Sequence, residues 1–342
     1  MRSQGSGKIS EILIPFLLCS IIFSMKRLLT IIQILLCFFL LPAPAAFLAG
    51  CAEPAPPSAL TAPEDPNVPG ERDNTPHVLV PEQGGSEICG NDDVSICLSH
   101  LGDGYFSARF TGDSPKVKLQ LTAENSLTYT YDLPVDGEWT IFPVSLGSGH
   151  YTLGVYSNIE ATMYAEVYGT EFDVALTDEF GPFLYPNQYV WFTGDTRAIG
   201  LAKDLCFAAN NDLEAVSFIY NYVITHVTYD QEEAENVQSG YLPEVDEVLD
   251  TGKGICFDYA ALMASMLRTQ NIPTRLEIGY AGSAYHAWIS CYIKEIGWVN
   301  GIIQFDGTDW SLMDPTLASN QGDRKLKEFI GDGSNYRTVY YY

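Results

Sequence analysis

Basic residues are scarce in this sequence. Its 342 residues include 18 Lys and Arg against 43 Asp and Glu, which gives a formal net charge of −25 at pH 7. Binding to nucleic acid needs a basic surface, because much of the affinity comes from Lys and Arg that displace counterions from phosphates. The charge balance therefore excludes nucleic acid as the expected partner, and it also disfavours electrostatic docking on anionic lipid.

Histidine is also rare, and the five copies are scattered along the chain: His77, His100, His150, His226 and His286. None has the close spacing to another His or Cys that zinc sites use. Calcium could be attracted by so acidic a surface, but no loop has the ligand spacing of an EF-hand. The glycines at 252 and 254 lack the rest of a phosphate-binding loop. We therefore expect neither a metal nor a cofactor.

Apolar and aromatic residues, in contrast, are plentiful. Hydrophobic residues make up 46% of the chain, which contains 21 Tyr, 17 Phe and 5 Trp. This composition excludes wholesale disorder, because the chain has enough apolar surface to build cores. At about 100 to 200 residues per domain, the length predicts two domains.

The first 50 residues have the pattern of an export signal. A basic pair follows Met25, then come the apolar run 28–41 and small residues that end at Cys51. This order is typical of a cleaved secretory signal, because the apolar run is too short to span a bilayer comfortably. Residues 48–51 read Leu-Ala-Gly-Cys and resemble a bacterial lipobox, which implies a diacylated Cys51 at the extracytoplasmic face of the cell membrane. An ordinary signal peptide is the alternative.

Residues 1–24 contain a second apolar run. We expect translation to start at Met25, so that this run lies upstream of the protein; a transmembrane hairpin is the alternative.

Residues 51–81 are rich in proline, with eight prolines after Cys51. Proline at this density favours extended polyproline II and cannot build a core. The composition predicts a semi-rigid tether between the lipid and the folded part.

Five cysteines follow Cys51: Cys89, Cys97, Cys206, Cys256 and Cys291. An exported protein can form disulfides, and Cys89 and Cys97 bracket a short loop across which they could pair. Cys291 either pairs with Cys206 or is buried as a free thiol. Because five is an odd number, at least one thiol is left over, and its function has to be considered.

Residues 82–177 have the pattern of short strands. Apolar and polar residues alternate at 116–121, 127–131, 151–155 and 172–176, and turn residues separate these segments. Strands at this spacing, without helices between them, favour an antiparallel, immunoglobulin-like sandwich. This half is interpreted as a spacer or a binding module.

Residues 178–342 change to helices followed by strands, which predicts an α+β domain. Asn211 and Glu214 stand in the register of a capping box before a helix, and another short helix is expected to end near Gly252. A third helix begins near Cys256, and strands are expected after Pro273.

Cys256 lies where a glycine-flanked loop meets the start of a helix. Free amides and the positive end of the helix dipole favour a thiolate there, and the thiolate is the nucleophilic form. Strand alternation places His286 and Trp288 together on the polar face of a strand. If a helix packs on that face, His286 could take the thiol proton. Asp314 ends the next substantial strand and could orient the imidazole. Taken singly, these residues also fit a buried cysteine, a structural histidine and a turn-forming Asp-Pro.

The segments 254–260, 286–288 and 314–316 read Gly-Ile-Cys-Phe-Asp-Tyr-Ala, His-Ala-Trp and Asp-Pro-Thr. In this order and spacing they resemble the transglutaminase-like superfamily, a papain-related cysteine fold, over roughly residues 180–320. The resemblance implies Cys256 as nucleophile, His286 as base and Asp314 as orienting residue. It also implies that Asp258 belongs to the helix start rather than to catalysis.

The resemblance leads to two functional hypotheses. The first is a lipid-anchored enzyme that acts on amide bonds of a protein, a peptide or the cell wall through a Cys256 thioester. Hydrolysis, as in a peptidase or amidase, is favoured over amine transfer, as in a transglutaminase. The alternative is a catalytically silent, surface-tethered binding or scaffolding protein.

Overall fold

The computed structural model of the chain describes residues 65–124, 127–294, 296–300, 302–305, 310–313 and 336–342. The predicted signal, Cys51 and Asp314 lie outside these ranges. No helix within them combines the length and the apolar character needed to cross a bilayer.

Alternating apolar residues build two four-stranded antiparallel sheets in the N-terminal half. The first has the order β1-β2-β3-β6 and consists of β1 (Ile88–Gly90), β2 (Val94–Cys97), β3 (Tyr105–Phe110) and β6 (Thr140–Pro143). The second has the order β5-β4-β7-β8 and consists of β4 (Val117–Ala123), β5 (Thr128–Leu133), β7 (Gly149–Glu160) and β8 (Met163–Val174). The predicted alternating segments all fall within the second sheet.

Buried aromatic rings connect the two sheets. Phe106 of β3 lies 6.2 Å from Phe172 of β8, and Tyr131 of β5 lies 5.0 Å from Phe142 of β6, measured between ring centroids. Such rings bury a large apolar area and prefer tilted or edge-on packing. The N-terminal half is therefore all-β as expected, while its immunoglobulin-like topology stays a prediction.

The described part of the C-terminal half contains five helices: α1 (Arg197–Leu205), α2 (Asp212–His226), α3 (Gln231–Asn236), α4 (Val245–Thr251) and α5 (Cys256–Thr269). Asn211 caps α2 by accepting the Glu214 amide at 3.0 Å, as the capping-box register predicted. Helix α4 ends at Gly252, whose φ of 62° suits a residue without a side chain. Helix α3 was not predicted, since five polar residues and a single alanine leave no apolar period to detect.

A third antiparallel sheet, of order β13-β12-β11-β16, packs on α5 through β11 and β12. It consists of β11 (Thr274–Ala281), β12 (Ala284–Ile293), β13 (Gly297–Asn300) and β16 (Tyr336–Tyr341). Two smaller pairs complete the strands: β9 (Thr228–Tyr229) with β10 (Lys253–Gly254), which are parallel, and β14 (Ile302–Phe305) with β15 (Trp310–Met313), which are antiparallel. The C-terminal half is α+β, as its sequence pattern predicted.

Contacts between the two halves include tyrosine rings and a side-chain amide. The ring of Tyr342 lies 5.5 Å from Tyr129 and 5.8 Å from Tyr131, and the Gln188 side chain donates to the Asp132 carbonyl at 2.6 Å. All described residues belong to one compact unit, Pro57–Tyr342. The domain boundary after residue 177 stays a prediction.

Part of the proline-rich segment is bound to the C-terminal half. The backbone amides of Gly70, Arg72 and His77 donate to the carbonyls of residues 207, 209 and 269 at 2.9, 3.0 and 2.7 Å. The Arg72 guanidinium also forms an ion pair with Asp212 at 2.7 Å. Residues 70–77 therefore form a strap, and composition alone gave no sign of it.

All five cysteines of the described ranges are free. Cys89 lies opposite Ile96, and Cys97 lies opposite Ile88. Paired residues of neighbouring strands share a face, and consecutive residues of one strand alternate between faces. The thiols of Cys89 and Cys97 therefore point to opposite faces of the β1–β2 ribbon. The disulfide considered for them is not formed. Cys206 and Cys291 are buried as free thiols.

Candidate active site

Cys256 is the first residue of α5, as predicted, and its thiol is half-buried and free. The amides of Asp258 and Tyr259 bond to the Ile255 carbonyl. Helix geometry provides no intrahelical partner for the first amides, those of Cys256 and Phe257. The helix therefore begins with a thiol beside amides that can stabilise negative charge.

Asp258 fixes the start of this helix. Its carboxylate is fully buried, where it accepts the Ile255 amide at 2.8 Å and the Tyr241 hydroxyl at 2.7 Å. Burial raises the pKa of Asp258 to about 6, although both hydrogen bonds act in the opposite direction. The prediction that Asp258 is a helix-start residue is consistent with these contacts.

His286 lies on β12, opposite Gly279 of β11, and is half-buried. Its ring lies 6.3 Å from that of Trp288, between centroids. The same face carries Glu277, whose buried carboxylate accepts the hydroxyls of Ser290 and Thr338 at 2.5 Å each. His286 thus belongs to a polar, partly buried face of the sheet.

The other face of β12 belongs to the main hydrophobic core. Ala287 and Ile289 share this core with Leu262 and Met263 of α5. The apolar face is core, as expected, and residues of α5 belong to the same core. Asp314, the third residue of the predicted Cys-His-Asp triad, lies outside the described residues, and the triad stays a prediction.

A cavity of about 230 Å³, which we call the tyrosine cavity, is lined by residues that neighbour the two candidates in sequence. Phe257, which follows Cys256, and Tyr285, which precedes His286, both contribute to its wall. The full lining is Thr130, Asp132, Gln188, Tyr189, Gly240, Tyr241, Leu242, Phe257, Ile278, Tyr285, Tyr340 and Tyr342. One cavity therefore borders residues adjacent to the predicted nucleophile and to the predicted base.

A second cavity, of about 290 Å³, adjoins the first at Tyr241 and Leu242, and we call it the acidic cavity. Its carboxylates are those of Asp230, Glu233, Glu244, Glu247 and Asp258. Across the described ranges, no group of three or more His, Cys, Asp or Glu is arranged to hold a metal ion.

Comparison with known proteins matches part of the C-terminal half to a family model. Residues 199–301 match the family model described as the transglutaminase-like superfamily. The chain carries a transglutaminase-like domain. The matched range includes Cys256 and His286 and ends before Asp314, so the transglutaminase-like match covers two of the three predicted triad positions.

Solved structures similar to the chain include a candidate cysteine protease from Cytophaga hutchinsonii, at 16% identity and a TM-score of 0.31, covering 68% of this chain and 70% of that one. A candidate protease from Parabacteroides distasonis has 15% identity and a TM-score of 0.27, and the match covers 52% of this chain and 36% of that one. Red sea bream transglutaminase has 13% identity and a TM-score of 0.28, and the match covers 64% of this chain and 48% of that one. A search of the curated proteins found no match.

The tyrosines around the transglutaminase-like site were missed from the sequence. Tyr189, Tyr241 and Tyr342 come from three distant segments, and no local pattern connects them. The three consecutive tyrosines at 340–342 were the only available signal. In the structure Tyr340 and Tyr342 occupy one face of β16 and its continuation, and both line the tyrosine cavity.

Proposed function

We propose that this protein is a cysteine enzyme that acts on amide bonds through a thioester on Cys256. The observation that carries the proposal is the tyrosine cavity, which borders the neighbours of both Cys256 and His286. A half-buried free thiol at a helix start, inside a transglutaminase-like domain, supports the same chemistry.

In the proposed reaction the Cys256 sulfur bonds to the substrate carbonyl carbon and the amide C–N bond breaks. The thiol proton passes through His286 to the leaving amine, and Asp314 orients the imidazole. The amides of Cys256 and Phe257 are the proposed donors to the oxyanion. Water then attacks the thioester, which releases a carboxylic acid and restores the thiol.

An amine in place of water would form a new amide, as in a transglutaminase. We favour hydrolysis, because water is abundant outside the cell and nothing in the sequence indicates an amine channel. The proposed substrates are amides of proteins, peptides or the cell wall.

The proposed location is the extracytoplasmic face of the cell membrane, with Cys51 as the lipid anchor. The Leu-Ala-Gly-Cys sequence and the preceding apolar run support it. The all-β half, proposed to be immunoglobulin-like, would hold the transglutaminase-like domain away from the bilayer. Loss of membrane association after Cys51→Ser, in a chain that is still exported, is the expected result.

A second candidate function is a catalytically silent binding or scaffolding protein. The proline-rich segment after Cys51 and the all-β half support it, because a surface-tethered binding protein would use both in the same way as an enzyme.

Thiol labelling with iodoacetamide at pH 7 tests the nucleophile. Burial raises the pKa values of Cys206 and Cys291 to about 12, so neither supplies appreciable thiolate at neutral pH. Labelling and amide turnover should both be lost in Cys256→Ala and be retained in Cys89→Ala, the control at the other half-buried thiol. Labelling that persists in Cys256→Ala would reject Cys256 as the reactive thiol.

The variant His286→Gln separates the two candidate functions. If His286 is the base, amide turnover should fall by about 10² or more, and the pH dependence of Cys256 labelling should change. His150→Gln, at a partly exposed side chain of β7, is the control. Identical labelling profiles for His286→Gln and the wild type would favour the silent protein.

A further inference from the structure

The tyrosine cavity is built from both halves of the chain. Thr130 and Asp132 come from β5, while Phe257, Tyr285 and Tyr342 come from the C-terminal half. The ring of Tyr189 lies 5.6 Å from Phe257 and 4.4 Å from Tyr342, between centroids. A group bound there would contact several aromatic faces, and it would do so only if β5 is in place.

One buried hydrogen-bond acceptor in the cavity wall has no partner. Gln188 is 7% exposed, and its amide nitrogen donates to the Asp132 carbonyl at 2.6 Å, which fixes the orientation of the amide. Its Oε1 has no hydrogen bond among the described residues. A buried acceptor left unpaired is costly, so this oxygen favours a ligand that brings an N–H or O–H donor.

The charge around the cavity favours a cation. Asp132 lies in its wall, but its carboxylate is paired with Lys118 at 2.6 Å and with Lys116 at 3.6 Å, so the excess negative charge has to come from neighbouring groups. The acidic cavity adjoins it at Tyr241 and Leu242 with five carboxylates against Lys253. A recess lined by one sign of charge concentrates ligands of the opposite sign, and the whole chain carries a net charge of −25.

A guanidinium group meets all three requirements. It is planar and stacks on aromatic faces, it carries several N–H donors, and it is always charged. The protein uses this contact elsewhere: Arg337 lies 4.7 Å from the centroid of Tyr280, and Arg275 lies 3.7 Å from that of Trp298. An aliphatic side chain would fill the space but would leave the Gln188 oxygen unpaired.

We propose that the tyrosine cavity is a substrate subsite for an arginine side chain, held by ring stacking and by a hydrogen bond to Gln188 Oε1. The inference rests on the proposed function, because it assigns the substrate class of the Cys256 site. It also gives the all-β half a role, since β5 supplies part of the wall.

Binding is tested on the full chain carrying Cys256→Ala, so that no turnover is required. The probe is N-acetyl-arginine methylamide, titrated by calorimetry beside its citrulline and norleucine analogues. Citrulline keeps the shape and loses the charge, and norleucine loses both charge and donors. We expect the arginine probe to bind at least about tenfold more tightly than either analogue.

Thr130→Trp should abolish binding, because Thr130 is exposed and an indole there would project into the cavity. Thr152→Trp is the matched control: an exposed threonine on the same outward face of the same sheet, outside the cavity lining. Tyr285→Ala, at a side chain that is 62% exposed and tolerant of change, should weaken binding at least severalfold.

Each result has one meaning. Norleucine binding as tightly as arginine, no binding of any probe, or binding that survives Thr130→Trp would each overturn the arginine subsite. Arginine binding to Cys256→Ala without amide turnover by the wild type would retain the subsite and reject the proposed enzyme. Amide turnover that does not distinguish arginine from norleucine substrates would retain the enzyme and reject the subsite.

Discussion

Asp258 combines complete burial with a position two residues after the proposed nucleophile. Its two hydrogen-bond donors, the Ile255 amide and the Tyr241 hydroxyl, compensate part of the cost of burying a carboxylate. Ionisation nevertheless remains unfavourable, which is why the pKa of Asp258 lies near 6 rather than near 4. The start of α5 therefore depends on a group that titrates in a mildly acidic range.

Stability should depend on pH through Asp258. The folded protein keeps this proton to a higher pH than the unfolded chain, so the folded state loses stability as pH rises from about 4 to about 6. A pKa difference of about two units corresponds to about 3 kcal/mol at most. Urea unfolding between pH 4 and 7.5 should show this decline in the wild type relative to Asp258→Asn.

The comparison with Asp258→Asn removes the pH effects of all other groups. The asparagine is expected to be less stable than the wild type at pH 4, since its amide cannot accept from both donors. If the unfolding free energies of the two proteins run parallel across this range, Asp258 does not titrate as described.

Two glycines, one before α5 and one inside α1, have opposite surroundings. Gly254, just before α5, is buried, and a Cβ built there would lie 2.7 Å from the Cβ of Asp258. Gly200, inside α1, is exposed, and a Cβ there would meet nothing within 4 Å. The first glycine is required by close packing, whereas the second only weakens its helix.

Alanine should therefore act in opposite directions at these two glycines. Gly254→Ala should destabilise the protein by about 1 to 3 kcal/mol, because it pushes Asp258 away from the Ile255 amide. Gly200→Ala should stabilise it by about 1 kcal/mol, because alanine is the better helix former. Chemical denaturation measures both, and a stabilising Gly254→Ala would show that the start of α5 is loosely packed.

The strap 70–77 connects the segment after the predicted anchor to the transglutaminase-like domain. Arg72 is its main side-chain contact: it pairs with Asp212 and donates to both the side chain and the backbone carbonyl of Gln270. A tether attached in this way restrains the orientation of the domain relative to whatever holds the N-terminus.

Arg72→Ala should lower the unfolding free energy by about 2 to 3 kcal/mol, because it leaves Asp212 and the Gln270 groups without their charged partner. Arg197→Ala removes another Arg–Asp contact, with Asp250 at 2.8 Å, on an exposed surface. Solvent screens that pair, so the change there should be clearly smaller. Equal losses in thermal or urea unfolding would mean that the strap contributes no more than a surface ion pair.

Local patterns were sufficient for much of the architecture. The alternation at 116–121 predicted β4, the Asn211 and Glu214 register predicted the start of α2, and the loop before Cys256 predicted the start of α5. Each of these elements depends on residues close in sequence, so the sequence alone determined them. The sequence also determined the transglutaminase-like resemblance, which the family match over residues 199–301 confirmed.

The tertiary structure alone decided that α5 and the apolar face of β12 belong to one core. It also decided that residues 70–77 bind to the C-terminal half and that β5 and Tyr342 meet in one cavity. These features join residues as much as about 200 positions apart. Their formation depends on how sheets and helices pack against each other, and the period of a single strand or helix carries no information about its packing partner.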